Sequence, residues 1–222
     1  MTTIRNKNFI KIVKHNDFYY GGNQSWWKNE NQTMKEFGCG VIAMCDYELY
    51  VGGLGKSGIA YEDYIDYVNK RRNQVYKLSD NRNLRKLGLL PTIMEKGLDE
   101  FYNANNINPT ISWAPTLRKN RVKKLIYNML SNNMPVVASY YVFNKKNKLD
   151  LYTYDDVENE FKKADDIRRH YFNIVGITKR DNQELLIVST WGRKYYILFQ
   201  QWLEKLSLFS NILYVELEKE KI

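Results

Sequence analysis

Apolar and polar positions divide this chain into a helical first half and a strand-rich second half. Residues 39–50 begin with an almost unbroken apolar run, Cys39-Gly40-Val41-Ile42-Ala43-Met44-Cys45, and Gly52-Gly53 follows, which predicts a buried helix with a glycine stop. Residues 61–78 and 91–105 are read as two more helices. In residues 117–131, Val122, Leu125, Ile126, Met129 and Leu130 form a stripe at helical spacing, with the lysines on the solvated face. Asn132-Asn133 stops that helix, and residues 135–143 read as a buried strand.

Residues 169–177 alternate and are rich in β-formers, a turn follows at Asp181-Asn182, and residues 184–192 form a second strand. A third strand is expected at 194–199 and a last at 212–217. Residues 145–148 read as a turn, and the charged stretch 155–166 as a helical segment. Residues 110–113 read as a short extended piece, 79–86 as polar, and 1–37 as a loop-rich lead-in turning at Gly21-Gly22. Helices first and a mostly antiparallel sheet last make an α+β arrangement.

With 222 residues and no internal repeat, one domain over 1–222 is expected. No run is long enough to span a bilayer and residues 1–20 do not read as a secretory leader, so the expected compartment is the cytoplasm, unless a dedicated export system carries the chain. Lys and Arg number 34 against 25 Asp and Glu, a formal charge of +9. The basic residues are scattered, so nucleic acid is not an expected partner. Gly52-Gly53-Leu54-Gly55-Lys56-Ser57 has Tyr50 where a phosphate-binding loop needs its first glycine, and reads as a helix-ending loop.

Two cysteines, Cys39 and Cys45, do not make a disulfide framework. On one helix, a rise of about 1.5 Å per residue puts them roughly 9 Å apart, beyond the span of about 7 Å that a disulfide bridges. With only two histidines and no Cys-x-x-Cys, no metal site and no cofactor are expected. Cys45 reads as a core residue. Cys39, between two glycines at a helix start, reads as a nucleophile: the helix terminus favours its thiolate, with an expected apparent pKa under about 7.5. His15 lies in a polar segment and is expected at the surface, which leaves His170 as the proton partner. The turn at Asp181-Asn182 brings the Ser189 region beside His170, completing a thiol, base and orienting-group arrangement.

Three segments, in order, resemble the papain-like cysteine peptidases. The nearest branch is bacterial, related to the leader-peptide-cleaving domains of bacteriocin exporters. Tyr20-Gly21-Gly22-Asn23-Gln24-Ser25-Trp26-Trp27 is similar to the stretch ahead of that branch's cysteine. Gly38-Cys39-Gly40-Val41-Ile42-Ala43 is similar to its nucleophile motif. His170-Tyr171-Phe172-Asn173 with Ser189-Thr190-Trp191-Gly192 is similar to its histidine strand and the strand after it. The resemblance implies a papain-like fold, with the nucleophile helix packed on the sheet that bears the histidine.

It also implies roles. Cys39 would attack a carbonyl and His170 would move the proton. Ser189, standing where the family has Asn or Asp, would accept the imidazole Nδ1–H. The Cys39 N–H and a glutamine amide would meet the oxyanion. Gln24, in the family stretch, is preferred to Gln32, which lies nearer the cysteine. Trp191 would shield the histidine from water. Trp26 and Trp27 would line a substrate groove or pin the lead-in to the domain. Peptide or protein is the expected substrate; deamidation and acyl transfer use the same thioester, and a binding module without turnover is the reading that the Ser189 departure favours.

Overall fold

In this computed structural model, residues 1–27, 31–54, 57–114, 118–142, 144, 147–207 and 210–217 are described. The expected helix start at Leu117, the turn residues Lys145 and Lys146, the strand end at Phe143 and the loop residues Gly55 and Lys56 lie outside them.

The first helix, α1 (Gln32–Phe37), is capped by Asn31, whose side chain accepts the Met34 N–H. Gly38 both ends α1 and begins α2 (Cys39–Val51). Its N–H donates to the Met34 carbonyl at 2.8 Å and its own carbonyl accepts the Ile42 N–H at 3.0 Å. A Cβ at Gly38 would stand 2.3 Å from the Met34 carbonyl oxygen, so this direct junction needs glycine. It leaves Cys39 in the first turn of α2.

From Gly40 to Tyr50 every residue of α2 is buried. A helix covered on all sides lies at the centre of a fold, and here it packs on the sheet, where Asn173 Nδ2 donates to the Ala43 carbonyl at 3.0 Å. The remaining helices are α3 (Tyr61–Gln74), α4 (Arg82–Arg85), α5 (Pro91–Asn103), α6 (Lys119–Ser131) and α7 (Phe199–Glu204). Val122, Ile126, Met129 and Leu130 are buried on α6, as the stripe predicts.

The strands are β1 (Thr2–Thr3), β2 (Lys11–Lys14), β3 (Asp17–Tyr20), β4 (Ile59–Ala60), β5 (Pro109–Trp113), β6 (Val136–Tyr141), β7 (Leu149–Asp155), β8 (Glu160–Ile167), β9 (Arg169–Arg180), β10 (Gln183–Thr190), β11 (Arg193–Leu198) and β12 (Leu213–Leu217). The main sheet runs β1-β9-β10-β11-β7-β8, with β6 also on β9. Its pairings are antiparallel, so the chain is a mixed α and β fold with antiparallel sheets. β12 pairs with β5, and β3-β2-β4 makes a small third sheet.

Two expectations are corrected. The charged stretch 155–166 is no helix: it lies in the β7–β8 hairpin, on an edge strand whose residues are mostly exposed, where charge guards against edge pairing. The lead-in is not merely loop, since β2 and β3 form a hairpin with the exposed His15 in its turn.

Two tight hairpins set the site. Asp181 and Asn182 have φ of 46° and 62°, and join β9 to β10. Trp191 and Gly192 have φ of 51° and 73°, and join β10 to β11. Both positions of a two-residue turn at positive φ suit the twist of paired strands. A bulky residue such as Trp191 in that region is strained, and strain of this kind collects at functional sites.

Candidate active site

Helix α2 presents Cys39 toward the start of β9. Cys39 and His170 border the same two hollows. One is a cleft of about 180 Å³, also bordered by Phe37, Lys86, Arg169 and Tyr171. The other is a small hole of about 10 Å³, bordered also by Gln24, Asp46, Asn173, Ser189 and Thr190. A larger groove of about 390 Å³ lies elsewhere, beside Asn31, Arg72 and Lys77, and has no thiol or imidazole on its walls.

His170 is 7% exposed. Its Nε2 stands 2.5 Å from Thr190 Oγ1, and the Trp191 ring lies over it at 4.7 Å between centroids, tilted by 45°. Thr190 is therefore the residue that holds the imidazole, and it does so through Nε2. This corrects both the expected residue, Ser189, and the expected nitrogen, Nδ1. Adjacent strand residues project to opposite faces. Ser189 is paired with Asn173, and its Oγ donates to the Tyr20 carbonyl at 2.9 Å. With Nε2 occupied, Nδ1 is the ring nitrogen left for proton transfer.

The resting charge states also differ from expectation. Cys39 is half-buried, and burial pushes its thiol up, opposed by the backbone N–H groups of Tyr171, Gly40 and Cys39 itself. Burial pushes His170 down to about 3. Desolvation thus outweighs the helix terminus, and the two groups rest as neutral thiol and neutral imidazole. Cys45 is fully buried, as expected.

Gln24 lies in a short 3-10 helix, Gln24–Trp27. Its Nε2 donates to the Lys35 carbonyl at 2.6 Å, and its Oε1 is buried with no partner among the described residues. Asn173 Oδ1, beside the same hole, is likewise unpartnered there. Gln32 Nε2 instead donates to Glu36 Oε1 at 2.5 Å; Glu36 borders the cleft, and Gln32 borders neither hollow.

Neither Trp26 nor Trp27 borders the cleft. Trp27 is buried and its Nε1 donates to Asn69 Oδ1 at 2.9 Å. Trp26 packs edge-on against Tyr19, Tyr61 and Tyr64. Of the two roles the sequence left open for them, the structure shows pinning of the lead-in.

Residues missed from the sequence are Thr190, whose neighbour drew the assignment, and Asp46. Asp46 stands seven positions after Cys39, a spacing that shares a helix face. Among the described residues no cluster of three His, Cys, Asp or Glu could hold a metal ion, and no helix is long and apolar enough to cross a membrane. No protein-family model and no curated protein matches this chain.

Proposed function

We propose that this protein is a papain-like thiol hydrolase that cleaves peptide bonds through an acyl-thioester on Cys39. The observation that carries this reading is the shared cleft: Cys39 and His170 border it together, while Thr190 and Trp191 hold the imidazole. As the Cys39 sulfur bonds to the substrate carbonyl carbon, its proton passes to His170 Nδ1. The imidazolium then gives that proton to the leaving amine, and the carbon–nitrogen bond breaks. A water, deprotonated by His170, splits the thioester, releasing the acid and restoring the thiol. The oxyanion is met by the Cys39 N–H at the helix start and by the second N–H of Gln24, whose first is held by Lys35. The pair rests neutral, so the imidazolium exists only while the intermediate does, and a hydroxyl at Thr190 supports it.

A papain-fold binding module without turnover is the second reading. The observation that favours it is the same neutrality, since a raised thiol attacks slowly. Incubation with a mixed peptide library, followed by mass spectrometry, separates the two. Cleavage by the native chain and none by Cys39→Ala is the result expected of a hydrolase. An unchanged library with both proteins overturns that reading.

A further inference from the structure

The buried group that this chemistry does not use is Asp46, which is 2% exposed. Its Oδ2 accepts the Gly22 N–H at 2.9 Å and its Oδ1 accepts the Tyr64 hydroxyl at 2.7 Å. The backbone comes so close that a Cβ on Gly21 would stand 2.6 Å from Asp46 Oδ2 and 2.3 Å from Ser189 Oγ. A Cβ on Gly22 would stand 1.9 Å from the Tyr64 hydroxyl. The double glycine is thus the shape that lets this carboxylate grip the lead-in.

The gripped segment is also stitched to the β10–β11 turn. Tyr20 N–H donates to the Gly192 carbonyl at 2.8 Å, and Gly192 N–H to the Gly22 carbonyl at 2.9 Å. Asn23 Nδ2 donates to the Trp191 carbonyl at 3.0 Å, and Ser189 Oγ to the Tyr20 carbonyl. Asp46 therefore joins three pieces: the helix of Cys39, the segment leading to Gln24, and the turn that lays Trp191 over His170.

We propose that Asp46 is a positioning residue for the Cys39 site, whose carboxyl group locks the 21–24 segment and the Trp191-Gly192 turn onto α2, and that ionising it loosens the lock. The effect on catalysis rests on the hydrolase reading above; the lock itself does not. The groups facing Asp46 are Tyr64 from α3, Ser189 from β10, and His170 and Asn173 across the hole. On its own helix Glu48 is bound by Arg71, Tyr67 and Tyr76. No cation is bound to Asp46 among the described residues. Burial, opposed by the Gly22 N–H and the Tyr64 hydroxyl, pushes its carboxyl up to about 7, so it changes charge near neutrality. The acid form keeps the Gly22 bond at one oxygen and turns its own proton to the Tyr64 hydroxyl, whereas the ionised form is a buried charge whose two bonds do not offset its desolvation. The folded-state value lies above the ordinary 3.8, so this group's stabilisation is full below that ordinary value and is lost as pH rises through about 7. Opening the segment hydrates the ionised carboxyl, so the open form gains as pH rises.

The test is hydrogen exchange of the 20–27 segment, corrected for intrinsic pH dependence, from about pH 5.5 to about pH 8.5. In the native chain, exchange should quicken by about tenfold as pH rises through the neutral range, the size of one unit of linkage. Asp46→Asn, a neutral side chain of the same shape, should remove the step and leave the segment slow throughout. Tyr64→Phe, which removes a hydroxyl that opposes the upward push of burial, should move the step to higher pH. A step that survives in Asp46→Asn, or that Tyr64→Phe leaves in place, overturns the proposal; Tyr64→Phe alone decides if Asp46→Asn does not fold. Exchange needs no substrate, so an inert Cys39 beside an intact pH step would fail the hydrolase reading and not the lock.

Discussion

The centre of α2 buries two carboxylates only two residues apart, and the fold treats them in opposite ways. Glu48 is fully buried and ion-paired with Arg71, and the hydroxyls of Tyr67 and Tyr76 bond to it as well. Arg71 reaches on to the Gly97 carbonyl at 3.2 Å. Burial raises the Glu48 carboxyl, while Arg71 and the two tyrosines pull it back. On the face of Cys39, by contrast, Asp46 and His170 form no ion pair among the described residues, and hydroxyls and backbone N–H groups do the holding. A compensated charge fixes a helix in place. Groups left without a counter-charge sit where a modest change in surroundings moves a proton, which is what acid–base chemistry requires.

The largest expected effect lies on the compensated side. Arg71→Ala leaves Glu48 buried and unpaired, and should cost about 3–5 kcal/mol in urea unfolding. Adding Glu48→Gln should recover much of that loss. A mild effect of Arg71→Ala alone would erase the contrast between the two faces. On the other side, His170→Ala should lower peptide cleavage by about 10²- to 10⁴-fold, the usual contribution of a positioned base, while leaving the urea midpoint near that of the native chain. Thr190→Val should lower cleavage by about tenfold, one neutral hydrogen bond's worth. Ser189→Ala should instead cost about 1 kcal/mol of stability through its lost bond to Tyr20, with little change in rate. Equal losses of rate in the two variants would return the orienting role to Ser189.

A separate effect is the acid limb of stability. His170 is pushed down from 6.5 to about 3 by burial, so the unfolded chain takes up its proton first. Its contribution is present above the ordinary value and lost as pH falls from about 6.5 toward 3. His170→Gln should flatten that limb in thermal melts taken across the range.

Much of the frame was legible in the chain because period and punctuation carry it. The α6 stripe, the glycine stop after α2 and the Asp181-Asn182 turn each follow from a local rule, and the structure has them where the residues put them. The β7–β8 hairpin was not legible, since an exposed edge strand of alternating charge has no apolar period to read. Thr190 was missed for a sharper reason: on a strand, one position decides the face, and the resemblance pointed to its neighbour. The thiol's charge state was misjudged because a helix terminus shows in sequence while the enclosure of a sulfur does not. Asp46 was hidden in the apolar reading of α2, although its seven-residue spacing from Cys39 was there to be counted.

The most direct test of the Cys39–His170 assignment is covalent labelling with a peptidyl fluoromethyl ketone, read by intact mass and peptide mapping. The account predicts a single adduct at Cys39, none at Cys45, and its loss in His170→Ala. No adduct at Cys39, or labelling that His170→Ala leaves unchanged, would contradict it.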